Sequence, residues 1–196
     1  MAHKDKRPII VGIAGAAGAG KSFLAQYLHE HHGFVRFSFA DTLKKMLRAA
    51  LEDYGYNELE IVSWMEGDRK EERCPALVNV SCRYAMQTLG TEWGRERIHP
   101  RLWLNLLGAR LDGHQRVVVD DVRMANEADY IYSLSPTAYV FRVMPIGEKP
   151  RHPGSHSSEV PLDRSLITAD LVHDFTYRSM KEQVHKKLLP VVFPDA

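Results

Sequence analysis

The stretch Gly15-Ala16-Ala17-Gly18-Ala19-Gly20-Lys21-Ser22 decides how this chain is read. It follows an apolar run, Ile9-Ile10-Val11-Gly12-Ile13-Ala14, and leads into a helical pattern, Phe23-Leu24-Ala25-Gln26-Tyr27-Leu28. Strand, tight glycine loop and helix start form the context in which G-x-x-x-x-G-K-S is a phosphate cradle. The glycines let backbone N–H groups converge at a helix N-terminus and form an anion nest. In that reading Lys21 reaches the β- and γ-phosphates of a nucleotide, and the Ser22 hydroxyl sits on Mg²⁺. The competing reading is a plain strand-to-helix turn, in which Lys-Ser after the last glycine serves no purpose.

Working outward, 196 residues suit one domain, 1–196, and bury enough surface to need no disulfide staples. The net charge of +1 argues against a nonspecific nucleic-acid binder, which is usually clearly basic. Cys74 and Cys82 lack partners at zinc-site spacing and read as free, reduced thiols of a cytoplasmic protein. The start, Met1 to Arg7, has no apolar core of the signal-peptide kind, and no run approaches a membrane span. No membrane partner is therefore expected.

Strands are expected at 8–14, 34–39, 116–121, 137–143 and 169–173. Helices are expected at about 21–32, 42–54, from Ser81 through Leu89 with Gly90 as the stop, from Pro100 to Gly113, after the run Val122 to Glu127 through about Leu134, and at 178–189. No firm period marks 55–65. Residues 55–113 thus form a mainly helical excursion between two strands. The Pro- and Gly-rich run 144–161 is long enough to be functional, and Arg151, His156, Ser158 and Glu159 suit a lid.

The chemistry these parts allow is phosphoryl transfer, which is mostly positioning and charge neutralisation. The third strand ends in Asp120-Asp121, where an acid orients Mg²⁺ or its water shell. Arg123 lies two residues beyond that acidic end and so beside the phosphate loop, its alternative role being an ion pair with Asp120 or Asp121. Asp41, just past a strand's carboxyl end, is either a substrate contact or an N-cap. Arg83 and Arg95 lie where an acceptor lobe would be, with Arg97, Arg101 and Arg142 as further cations. Trp93 and Trp103 read as packing rather than base stacking. No Asn-Lys-x-Asp guanine signature occurs, which speaks against a regulatory GTPase.

Five stretches together resemble the phage-type deoxynucleoside monophosphate kinases of the P-loop nucleoside monophosphate kinase group. They are Gly15 to Ser22; Phe39-Ala40-Asp41-Thr42-Leu43-Lys44; Arg83 with Gln87-Thr88-Leu89-Gly90-Thr91-Glu92-Trp93-Gly94-Arg95; Asp120-Asp121-Val122-Arg123 with Asn126-Glu127; and His156-Ser157-Ser158-Glu159. The resemblance implies a P-loop NTPase fold, a three-layer αβα arrangement on a five-stranded parallel sheet, with an acceptor-binding helical insertion and a lid. It implies transfer of the γ-phosphoryl group of ATP, with Mg²⁺, to a deoxynucleoside monophosphate, giving the diphosphate. Lys21, Arg123 and Asp121 would be catalytic, with Ser22, Asp120 and Asp121 the candidates for the metal. Asp41, Arg83, Gln87, Thr91 and Arg95 would face the acceptor, and Arg151 and His156 to Glu159 would belong to the lid. The family pattern centres on Asp-Val-Arg, hence Asp121; the end of the apolar strand points to Asp120. A homodimer through the insertion, and host cytoplasm if phage-encoded, are further implications. The alternatives are a kinase of dephospho-coenzyme A or phosphomevalonate type, a nucleic-acid-stimulated ATPase, or a nucleotide-binding module without catalysis.

Overall fold

A computed structural model describes residues 7–146 and 162–194. The chain divides into two compact units, one made of residues 1–38 and 110–196, the other of residues 39–109.

The first unit is built on a sheet of five strands: β1 (Ile9–Ala14), β2 (Val35–Phe37), β3 (Arg116–Val122), β4 (Ala138–Pro145) and β5 (Ala169–His173). Their order is β2-β3-β1-β4-β5, and every neighbouring pair is parallel. β1 lies at the centre, which explains why Ile10 to Ala14 are buried on both faces. Val11 and Ile13 pack with Leu24 and Leu28 of α1 (Lys21–His32) and with Met180, Val184 and Leu188 of the C-terminal helix. Burying each such aliphatic side chain contributes roughly 1.5–3 kcal/mol. On the opposite face Gly12 lies against Val122, Val140 and Ile131, the last from α6 (Ala125–Leu134). Helices therefore cover both faces, and the expected three-layer α/β arrangement on a five-stranded parallel sheet is observed.

The second unit contains α2 (Asp41–Asp53), α3 (Glu58–Met65) and α4 (Cys82–Thr88). α5 (Leu102–Leu111) begins in it and ends in the first unit. Its core joins Leu47, Leu51, Ile61, Trp64, Met65, Cys74 and Cys82. Both cysteines are buried thiols, and burial pushes Cys82 up to about 12, with Cys74 beside it adding to the shift.

Several sequence expectations are corrected. α3 occupies a segment without a clear period. Its start is set by a capping box, with Asn57 Oδ1 accepting from Glu60 N at 3.1 Å and Glu60 Oε2 accepting from Asn57 N at 2.9 Å. Asp41 is the first residue of α2, not its N-cap, which is Ala40. Its carboxylate thus sits in the first turn, where the helix dipole favours negative charge. Ser81 caps α4 as expected, accepting from Tyr84 N at 3.1 Å. Gly90, however, does not end the helix: α4 runs on as a π-helical stretch, Leu89–Ile98. The glycines there serve close packing. A Cβ on Gly94 would lie 2.4 Å from Trp103 Cζ2, and the Gly90 carbonyl accepts from Trp103 Nε1 at 2.7 Å. Trp103, 1% exposed, is a packing residue as expected. The closing helix α7 (Tyr177–Gln183) also extends, through Val184–Leu188 to Val192.

Candidate active site

The glycine loop takes its shape from backbone conformations that favour glycine. Gly15, Gly18 and Gly20 have φ of 143°, 78° and 93°. Gly15 is further constrained by close approach, since a Cβ there would meet the Val143 carbonyl oxygen at 2.6 Å. Gly20 is the left-handed N-cap of α1; no side chain caps this helix and its first turn holds no acid. The first-turn N–H groups and the positive end of the helix dipole thus have no acidic side chain from the helix's own first turn. Ala16, Ala17 and Gly18 are exposed, while Ala19 is buried. Such a loop suits an anion.

Lys21 folds back over this loop. Its ammonium donates to the carbonyls of Gly15 at 2.9 Å and Ala16 at 2.7 Å. Burial pushes its pKa down from 10.5 to about 8; the charge of Arg123 pushes the same way, and Asp121 and then Asp120 oppose it. The structure thus brings Lys21, Arg123, Asp121 and Asp120 into one electrostatic neighbourhood at the carboxyl ends of β1 and β3. Ser22 follows on the exposed first turn of α1.

The two acids differ in surroundings. Asp120 Oδ2 accepts from Arg36 Nη2 of β2 at 2.7 Å, an ion pair with side chains 33% (Arg36) and 15% (Asp120) exposed. Arg36 is itself oriented by Gln26, whose Oε1 accepts from Nη1 at 2.6 Å. Asp121 Oδ2 accepts from the Ser38 hydroxyl at 2.5 Å. Downstream, the buried Glu127 carboxylate accepts the backbone N–H groups of Arg123 at 2.7 Å and Met124 at 3.0 Å. It thereby closes the β3–α6 turn that carries Arg123.

Arg36, Ser38 and the turn-closing role of Glu127 were not singled out from sequence. A basic residue and a hydroxyl in an alternating strand look like ordinary surface positions. Their significance appears only when β2 and β3 pair in register, Arg36 beside Val118 and Phe37 beside Val119. Arg142, a candidate cation, makes a bidentate pair with Asp170, its cross-strand neighbour, at 2.8 and 3.1 Å. That pair holds the Asp170 carboxyl below its usual range and gives Arg142 a structural role.

Within the second unit, Arg83 and Gln87 lie one turn apart on α4, and Thr91 and Arg95 follow on its π-helical continuation. Arg83 pairs with Glu71. Arg95 Nη1 donates to the Gly90 carbonyl at 2.8 Å, and Thr91 is buried. Asp41 opens α2 of the same unit. The lid residues Arg151, His156, Ser158 and Glu159 lie outside the described residues. Among the described residues, no helix is long and apolar enough to cross a membrane.

No protein-family model matches the chain. A protein of Acanthamoeba polyphaga mimivirus that carries the name deoxynucleotide monophosphate kinase is 31% identical over 180 residues, covering 84% of this chain and 86% of its own. The deoxynucleoside-5'-monophosphate kinase of Escherichia phage T5 is 32% identical over 101 residues, 49% of this chain and 40% of its own. Among solved structures, TT1252 from Thermus thermophilus superposes with a TM-score of 0.53 and 20% identity, over 94% of this chain and 97% of that one. The last likeness concerns the fold alone.

Proposed function

The chain belongs to the deoxynucleotide monophosphate kinases, transferring a phosphoryl group to a deoxynucleoside monophosphate, and on that premise we propose that ATP is the donor and that its phosphates bind on Gly15 to Ser22. The observation that carries this reading is the convergence of Lys21, Arg123, Asp121 and Asp120 at a glycine loop that opens a helix.

In this reading the N–H groups of the loop and the first turn of α1 take the donor's phosphate oxygens. Lys21, now hydrogen-bonded to Gly15 and Ala16, exchanges those carbonyls for the β- and γ-phosphates. Phosphoryl transfer spreads negative charge over the oxygens of the moving group, so fixed cations lower its barrier. Arg123 supplies the second cation, and Glu127 holds the backbone from which it projects.

The donor set also fits Mg²⁺, a hard cation that takes oxygen ligands. The Ser22 hydroxyl and the Asp121 carboxylate would hold it. Asp121 is preferred to Asp120 because it opens the Asp121-Val122-Arg123 pattern, while Asp120 is held in an ion pair with Arg36. When bound, the metal supplies charge neutralisation on the donor's phosphates. In the second unit, Asp41, Arg83, Gln87, Thr91 and Arg95 would recognise the acceptor, with Arg83 taking its monophosphate. Assembly as a homodimer and location in a cytoplasm belong to the same proposal.

A coupled assay with ATP and a panel of ribo- and deoxynucleoside monophosphates plus dephospho-coenzyme A tests the reading. Turnover with at least one deoxynucleoside monophosphate, abolished by chelating Mg²⁺, is expected. Activity on dephospho-coenzyme A alone would overturn it.

A further inference from the structure

We propose that His173, the last residue of β5, is a positioning residue that aims an N–H of the phosphate loop at the donor. The inference rests on reading Gly15 to Ser22 as the phosphate cradle. Histidine at this position carried no signal in the sequence beyond closing a short strand.

Three observations meet at this ring. It is buried, 2% exposed. Its Nδ1 accepts the backbone N–H of Phe175 at 3.0 Å. Its Nε2 lies 2.8 Å from the carbonyl oxygen of Ala19. A carbonyl can only accept, so Nε2 must carry a proton; a nitrogen that accepts an N–H carries none, so Nδ1 is bare. Both contacts are satisfied together by the neutral ring with its proton on Nε2, and the turn after β5 selects that tautomer.

The consequence for the loop follows from peptide geometry. A trans peptide is planar, with its C=O and N–H on opposite sides, and no described peptide bond is cis. Tying the Ala19 carbonyl to β5 therefore turns the N–H of Gly20 away from His173. Gly20 completes the fit: a Cβ there would lie 3.3 Å from His173 Cε1 and 3.3 Å from Met180 Cε. Without the His173 bond the Ala19–Gly20 peptide loses its anchor. A flipped peptide presents a carbonyl oxygen where an N–H had been, which repels a phosphate instead of binding it.

The test compares His173→Phe, which keeps a ring but removes the donor, with His173→Gln, which keeps an N–H donor. Isothermal titration with ATP should show the Kd raised about tenfold in H173F, the size of one buried hydrogen bond, with most of the loss recovered in H173Q. The KM for ATP should rise in parallel and the KM for the acceptor should stay as in the wild type. A folded H173F with wild-type ATP affinity overturns the inference, even if its Tm falls, because that outcome makes the residue purely structural. Should H173F not fold, ¹⁵N NMR of the wild-type imidazole decides: a proton on Nε2 supports the inference, and a proton on Nδ1 with Nε2 bare overturns it. Lys21→Ala run alongside separates the two levels. ATP binding and turnover unchanged in K21A overturn the phosphate-loop reading itself; ATP binding lost in K21A but kept in H173F overturns only the role of His173.

Discussion

Arg36 closes a 2.7 Å ion pair on Asp120, from one parallel strand to the next. The adjacent acid, Asp121, accepts the Ser38 hydroxyl. The two carboxylates lie where the β1–β3 register shifts, between Val119 and Val122, and they take different side chains of residues 36–38 as partners. Replacing each in turn should give different losses. Asp121→Asn is expected to lower kcat by two orders of magnitude or more, with little change in Tm. Asp120→Asn should cost about 1 kcal/mol of stability, as expected for a partly exposed pair, and lower kcat less than tenfold. Steady-state kinetics beside urea denaturation check both, and equal kinetic losses would count against Asp121 as the metal-side acid.

Lys21→Ala should reduce turnover by about two orders of magnitude or more while the fold survives, because in the proposed site it removes a charge that acts on the transition state. Circular dichroism and the coupled assay, run on one preparation, test this.

The depressed pKa of Lys21 makes a stability prediction with a definite sign. Its ammonium titrates at about 8 in the folded chain against 10.5 unfolded. Below pH 8 both states hold the proton, and the folded state pays a penalty for burying it. Between about 8 and 10.5 the unfolded chain binds more protons, so this contribution to stability rises with pH. Lys21→Met should therefore be more stable than the wild type at pH 7, by on the order of 1–3 kcal/mol, and the gap should close as pH approaches 10. Urea denaturation of both proteins at several pH values measures it.

Phosphate contact should raise the Lys21 pKa again, because an anion favours the charged form. ATP binding at pH 8.5 is then expected to take up a fraction of a proton. Isothermal titration in two buffers of different ionisation enthalpy detects the uptake, and in Lys21→Met it should vanish.

Gly94→Ala is expected to destabilise the helical unit by about 1–3 kcal/mol, the usual cost of overpacking. The new methyl would have to displace the indole of Trp103, 2.4 Å from where it is placed. Trp103→Phe in the same chain should recover part of that loss by making room, while giving up the bond to the Gly90 carbonyl. Denaturation midpoints of the single and double variants provide the cycle.

Arg83→Ala should raise the KM for the acceptor at least tenfold with kcat changed only a few-fold, if Arg83 binds the monophosphate equally in ground and transition states. An unchanged acceptor KM would return Arg83 to its ion pair with Glu71 as its whole role.

The sequence by itself carried what depends on local rules. Gly15 to Ser22 pointed to a glycine loop between strand and helix, and the structure has that loop between β1 and α1. β1 and β3 were legible because buried parallel strands are continuous apolar runs, β2 because its residues alternate, and α1 because Gly33 stops it in the left-handed conformation observed there. α3 escaped because a short helix set by a capping box needs no long periodic stripe. Gly90 misled because a glycine that admits a neighbouring indole looks the same, in sequence, as one that ends a helix. Tertiary structure alone decided which groups meet: Arg36 with Asp120, Ser38 with Asp121, Arg142 with Asp170, and His173 with the Ala19 carbonyl 154 residues away. Those pairings follow from strand order and register, in which β3 lies between β1 and β2 and β5 lies beside β4. Local pattern specifies an element and its buried face; which element becomes its neighbour is settled by the burial of all faces at once.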